Sequence, residues 1–392
     1  MVSRILMHVG PSVANYSVLS AGVQPNVGFA SPEFNGAMKN SLEGLRYVTG
    51  SDSRYMPFIL PGSGTVAMES VTSFFPKGSR ILVVSNGVFG DRWEAILSRY
   101  PVEIKVLRSK PGSAVSVSEI EREVSSGKYF AIAMTHVETS TGVRLDVRAV
   151  AKAVHGKVNL VIVDGVASIG GEKMKVSDWG IDICLTASQK GIGAQAGSGL
   201  LVASEEAVHY LEKSSVAGYF MDLRNWKNIM EKFLSGEGGY FATPPIGTVF
   251  SISKSMDIIK AETMDLRIRR HEVCSEAFRR GIEHMGLGIL AEEGLRSNTV
   301  SGVMADGINI PEFLQTALKR GVEFGAGVHP ALRNRYFRVG HMGWIEPSHI
   351  IQALNVIELS MAEMGVKINR DSAVVAGELF QKHSEIGLIP QL

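Results

Sequence analysis

Leu160-Val161-Ile162-Val163-Asp164-Gly165-Val166-Ala167-Ser168, followed by Ile181-Asp182-Ile183-Cys184-Leu185 and then Ser188-Gln189-Lys190-Gly191, carries the strongest structural signal in the chain. Its near-continuous aliphatic runs imply strands buried on both faces, as in a parallel sheet. Asp164 precedes Lys190 by 26 positions, room for one helix and one strand, so the two side chains can end on adjacent strands at one edge. Outward from this stretch, further strands read at 80–85, 102–107, 130–134 and 199–203. Amphipathic segments lie between them, and that alternation is what a parallel sheet with crossover helices requires. In one segment Ser116 and Glu119 have capping-box spacing, which predicts a helix start. From about Thr248 to Met285 the pattern is helical and charge-laced, and shorter mixed elements follow. The expected organisation is an arm at 1–20, a large α/β domain at 21–262 and a smaller C-terminal α+β domain at 263–392.

The 392 residues suggest two or three domains at roughly 150 residues each. With 45% hydrophobic and 20% charged residues the chain can fill a large core, which excludes disorder as its main state. A net charge of +1 supplies no field to draw nucleic acid or an anionic membrane, so small molecules are the expected partners. Two cysteines, Cys184 and Cys274, are too few for a disulfide framework and fit a reducing compartment, with the cytoplasm as the expectation. The N-terminal residues do not resemble a signal peptide, and no run approaches the roughly 18 apolar residues of a membrane span.

Chemistry concentrates at strand ends. A lysine at the carboxyl end of a buried strand, as Lys190 is, stands where α/β sheets place ligands, and partial desolvation there makes an amine nucleophilic; a solvated loop lysine is the plain alternative. Asp164 can hold a ring nitrogen protonated or simply cap a turn. Pro61-Gly62-Ser63-Gly64-Thr65 precedes a helical pattern and can offer N–H groups and hydroxyls to a phosphate, although it lacks the Gly-Lys-Ser/Thr of a nucleotide loop. The loop Thr135-His136-Val137-Glu138-Thr139-Ser140-Thr141-Gly142 gathers hydroxyls at the same edge, one of which can bond a phenolic oxygen. Phe89 can lie on an aromatic ring or belong to the core. Arg338, in Tyr336-Phe337-Arg338-Val339-Gly340, can clamp a carboxylate or form an internal salt bridge. His8, His155, His329 and His341 form no metal-ligand spacing, and no metal is expected.

In order along the chain, Ser31-Pro32-Glu33-Phe34, Gly62-Ser63-Gly64-Thr65, Asn86-Gly87-Val88-Phe89-Gly90, Glu138-Thr139-Ser140-Thr141-Gly142, Asp164-Gly165-Val166-Ala167-Ser168, Ser188-Gln189-Lys190 and Tyr336-Phe337-Arg338-Val339-Gly340 resemble the motifs of class V, fold-type I pyridoxal-phosphate enzymes. The resemblance is nearest to the alanine/serine–glyoxylate (serine–pyruvate) aminotransferase family. It implies a large domain with a mainly parallel sheet of seven-stranded type between helices, plus the smaller C-terminal domain. By the same resemblance Lys190 would carry pyridoxal 5'-phosphate and move the substrate proton, Asp164 would pair with the ring nitrogen, Ser140 would contact the ring hydroxyl and Phe89 would stack on the ring. Ser63, Gly64, Thr65 and Gln189 would bind the phosphate, and Arg338 the substrate carboxylate. Tyr240 and Thr243, in Gly239-Tyr240-Phe241-Ala242-Thr243, would reach the phosphate of the partner in a homodimer with shared active sites.

Three departures stand out: Phe29 where members commonly carry histidine, Val9-Gly10-Pro11-Ser12 in place of Gly-Pro-Gly-Pro, and Phe89 where some relatives use tryptophan. The implied activity is transfer of the amino group of serine or alanine to glyoxylate or pyruvate by a ping-pong mechanism. Competing readings are a cysteine desulfurase-like lyase, an aminotransferase for a phosphonate aldehyde, and a regulatory protein without turnover.

Overall fold

The computed structural model describes residues 4–390 apart from 14, 26, 215–217, 387 and 388; the extreme terminal residues read for targeting signals lie outside that set. Its strands are β1 (Ile5–Met7), β2 (Met56–Pro61), β3 (Arg80–Ser85), β4 (Glu103–Arg108), β5 (Ala131–Thr135), β6 (Val137–Glu138), β7 (Val143–Arg144), β8 (Leu160–Asp164), β9 (Ile183–Ala187), β10 (Ser198–Ala203), β11 (Gly288–Ile289), β12 (Val300–Met304), β13 (Val322–Ala326) and β14 (Tyr336–Gly340).

Seven of them form one sheet in the order β2-β10-β9-β8-β5-β3-β4. The pairs β3–β4, β3–β5, β5–β8 and β8–β9 are parallel, and β10 runs antiparallel to both neighbours. β5, β8, β9 and β10 are buried along their whole length, which explains their unbroken aliphatic sequences. β4, at the sheet edge, alternates instead and exposes Glu103 and Lys105, charges that discourage edge-to-edge pairing.

Helices cover this sheet for reasons visible in the chain. The helix Pro32–Thr49 begins where the Ser31 hydroxyl accepts from the Phe34 N–H at 3.2 Å, carries proline in its first turn and ends at Gly50 with φ +63°. Ser116 caps the helix Val117–Ser126 by accepting from the Glu119 N–H.

A second sheet, β1-β13-β14-β12-β11, has its own core around Phe278, Phe313, Phe337 and Leu354. The stretch read as an N-terminal arm supplies its edge: β1 pairs in parallel with β13 and buries Met7 in that core. Helix Ile246–Glu262 packs in the first core and Met264–His284 in the second, with Thr263 between them at φ +67°. Arg267 bolts the two halves together, donating to the carbonyls of Gly170, Gly191 and Gly343 and pairing with Glu262 at 2.8 Å. Breaking such a buried pair by removing one partner costs about 3–5 kcal/mol. Among the described residues no helix is long and apolar enough to cross a membrane.

Candidate active site

The parallel strands deliver their carboxyl ends to one edge. β8 ends on Asp164 and its neighbour β9 on Ala187, with Lys190 three residues further, so the spacing read from the sequence does bring the two side chains to one place. There they line a cavity of about 230 Å³. One water claims only about 30 Å³ of liquid, so the cavity has room for a small organic molecule.

Lys190 reaches across the two halves of the chain, its Nζ donating to the Val9 carbonyl at 2.6 Å. Gly10 makes this approach possible: a Cβ on it would fall 2.2 Å from Nζ, so any side chain there would displace the amine. Burial, then the nearby Arg338 charge, lowers the Lys190 pKa to about 8, against a smaller opposing pull from Asp164. Burial likewise pushes the Asp164 carboxyl up to about 6, although it accepts from the Val166 N–H at 2.8 Å and the Thr135 hydroxyl at 3.3 Å. A cation placed against Asp164 stabilises its charged form, which a protonated ring nitrogen can do.

Ser63, Gly64 and Thr65 line the cavity at the start of the helix Gly64–Ser70. Ser63 occupies the cap position yet makes no capping bond, which leaves its hydroxyl free for a ligand. Gln189 lines the same wall, and its side-chain amide carries an N–H2 group that can donate to a phosphate. Uncommitted polar groups at one end and a perturbed lysine–aspartate pair at the other fit a phosphate-bearing, electron-withdrawing aldehyde such as pyridoxal phosphate.

Phe89 also lines the cavity, near the amino end of the helix Val88–Leu97. Glu138, fully buried, holds that end in place by accepting from the Phe89 and Gly90 N–H groups at 3.1 and 3.0 Å. Ser140 completes the clamp, accepting from the Val88 N–H at 3.1 Å and donating to Glu138 at 2.6 Å. First-turn N–H groups lack intrahelical partners, and here a carboxylate and a hydroxyl from a neighbouring turn supply them.

The Ser140 hydroxyl that the resemblance assigned to a ring contact is thus engaged at the helix end. Thr139, not Ser140, is the residue of this turn that lines the cavity. The turn joins β6 to β7, and within it adjacent residues serve the helix end and the cavity.

Arg338 sits in β14 between Gly302 of β12 and Gly325 of β13. It is 5% exposed and donates to the carbonyls of Ala326 at 2.8 Å and Thr139 at 3.3 Å. Among the described residues no carboxylate pairs with it. A buried guanidinium without a counter-charge is costly unless an anion offsets it, which favours the carboxylate-clamp reading over the internal salt bridge.

Tyr240 and Thr243 do not join this cavity. Both are exposed, and Tyr240 packs its ring on Phe29 at 4.6 Å between centroids. Gly10, Thr139 and Arg92, none of them given a role by a sequence motif, line the cavity too, Arg92 from the helix that carries Phe89. The position of Arg92 one helical turn beyond Phe89 was the available signal.

The model of the family described as "Aminotransferase class-V" matches residues 16–346. The chain is 34% identical over 353 residues to alanine–glyoxylate aminotransferase 1 of Saccharomyces cerevisiae, covering 86% of this chain and 91% of the relative. It is 29% identical to serine–glyoxylate aminotransferase of Arabidopsis thaliana, covering 97% and 96% respectively. Among solved structures, alanine–glyoxylate aminotransferase of a Nostoc species superposes with a TM-score of 0.85 at 26% identity, over 92% of this chain and 95% of that one.

Proposed function

The chain belongs to the class V aminotransferases, enzymes that work through pyridoxal phosphate, and from that premise we propose that it moves the amino group of serine or alanine to glyoxylate or pyruvate in a ping-pong cycle. The observation that carries the reading is a buried lysine whose pKa lies near 8, lining one cavity with Asp164 of the neighbouring strand and feeling the charge of a buried Arg338 that is bonded to the carbonyl of the cavity-lining Thr139. The named substrates of the relatives support a small donor and a small 2-oxo acid acceptor.

Pyridoxal phosphate, when bound, supplies a protonated pyridine ring that takes up the electron pair left by a broken α-carbon–hydrogen bond. The chain's residues do the rest. Arg338 holds the α-carboxylate with its planar fork and so orients the α-hydrogen. Lys190 would take that proton on its Nζ and give it back later in the cycle, a task suited to an amine that is partly unprotonated near neutral pH. Asp164 keeps the ring nitrogen protonated. Ser63, Gly64, Thr65 and Gln189 bind the phosphate, Phe89 covers the ring face, and Thr139 takes the ring-hydroxyl contact.

We further assign an obligatory homodimer in which Tyr240 and Thr243 reach the phosphate of the partner subunit. Their exposure, and their position ahead of Pro244-Pro245, support a segment that projects from its own chain. The two free buried thiols are in keeping with a reducing compartment, and the cytoplasm is the proposed location.

A persulfide-forming lyase needs an accessible, acidic thiol. Cys184 and Cys274 are fully buried and burial pushes both thiols upward in pKa, Cys274 to about 12, which argues against that rival. The test is a panel of amino acids against glyoxylate and pyruvate, with a phosphonate aldehyde as third acceptor. Turnover of serine or alanine with either 2-oxo acid is the expected result. Preference for the phosphonate aldehyde would overturn the substrate assignment, and no transamination with any pair would overturn the function.

A further inference from the structure

We infer that Arg92 is a charge partner of the cofactor phosphate, closing the group of neutral donors formed by Ser63, Gly64, Thr65 and Gln189. This rests on the reading that the phosphate sits against those residues. Arg92 lines the cavity, and its Nη1 donates to the Thr65 hydroxyl at 3.1 Å. Its guanidinium carbon stands 4.6 Å from the centre of the Phe89 ring, so one side chain touches both the phosphate wall and the aromatic wall.

Charge balance makes the case. A phosphate monoester brings about −1.5 to −2 charges, and burying that charge among neutral donors is costly without a cation. Among the described residues Arg92 has no carboxylate partner, and the acids of its own helix are engaged elsewhere: Asp91 and Glu94 both pair with Arg108. Its charge is felt at both Asp164 and Lys190. Arg338, the other free guanidinium of the site, is held at the Thr139 turn by its bond to that carbonyl. Lys190 is turned toward Val9. Arg92 is therefore the cation bonded to a phosphate-wall residue, and its stacking on Phe89 holds the guanidinium plane in place.

The experiment uses the full chain stripped of cofactor and titrates it with pyridoxal phosphate and with pyridoxal, which lacks the phosphate, following bound cofactor by absorbance. Inorganic phosphate serves as competitor. The wild type should prefer pyridoxal phosphate and lose it to inorganic phosphate. Arg92→Met should weaken pyridoxal phosphate about ten- to a hundredfold while leaving pyridoxal within about twofold, and Arg92→Lys should recover part of the loss because it restores the charge. Should Arg92→Met fail to fold by circular dichroism, Arg92→Gln is read by the same criteria.

Equal weakening of both ligands would make Arg92 a support for Phe89 alone and overturn the proposal, as would no weakening of either. A wild type that does not distinguish the two ligands would show that the phosphate is not held at Ser63–Thr65, and the reading on which the proposal rests would fall with it. Preference in the wild type that survives unchanged in Arg92→Met would overturn the Arg92 role alone.

Discussion

Replacing Arg338 by lysine keeps the positive charge and removes the planar fork, which isolates the geometry of the carboxylate clamp. In the wild type Nε and Nη1 are anchored on the Ala326 and Thr139 carbonyls, 2.8 and 3.3 Å away, so the guanidinium plane is fixed before substrate arrives. An ammonium in its place cannot hold both carbonyls and still present two parallel donors to a carboxylate. Loss of one charge-assisted hydrogen bond costs about 1.5–3 kcal/mol, or about ten- to over a hundredfold in affinity. Single-turnover absorbance with an amino acid, and with its 2-oxo acid in the reverse half-reaction, yields the apparent substrate affinities. Titration of the stripped protein gives the cofactor affinity. Substrate binding should fall by that factor in both half-reactions, with cofactor binding within about twofold of wild type. An amine lacking the α-carboxylate should react equally with both proteins. Equal loss of cofactor and substrate, or equal loss for the amine without a carboxylate, would refute the clamp and leave Arg338 a structural residue.

The depressed Lys190 pKa predicts that covalent attachment of pyridoxal to the stripped protein rises as pH climbs through about 8, because the reactive free base forms there rather than near 10.5. A midpoint at or above 10 would contradict the burial argument, and Arg338→Met should move the midpoint upward by removing a repelling charge. Ser140→Ala should cost about 1–3 kcal/mol in urea denaturation by leaving the Val88 N–H unpaired, while the bound-cofactor spectrum stays unchanged; Thr139→Val should alter the spectrum with little loss of stability. The opposite pattern would return the ring contact to Ser140. Mixed dimers of Lys190→Ala chains with Tyr240/Thr243 double-mutant chains should regain activity, since one of their two sites receives intact residues from both parents. Absence of rescue in confirmed heterodimers of two inactive parents, or full activity in a proven monomer, would rule out a shared site.

The sheet that carries the chemistry is written into the local pattern of the chain. β5, β8 and β9 are central strands covered on both faces, and unbroken aliphatic runs suit that position, so β8 was readable to the residue, β5 to within one and β9 to within two. The separation of Asp164 from Lys190 equals one crossover, and parallel strands return to the same edge after each crossover, so their meeting was readable too. The start of the helix at Val117 was readable for a local reason, since the Ser116 cap is set by a few neighbouring residues. The features that were not legible arise where elements distant in the chain touch. β1 is a three-residue edge strand whose identity depends on a partner more than 300 positions away, so residues 1–20 read as an arm. The choice between Thr139 and Ser140 turns on which side of a tight turn each hydroxyl faces, and the helix end that claims Ser140 lies about 50 residues upstream. Arg92 becomes part of the site only because its helix packs beside Thr65, and a lone arginine on an amphipathic helix carries no mark of that neighbour. Backbone periodicity is encoded locally, while the direction of a polar side chain is set by the donors and acceptors that folding brings to it.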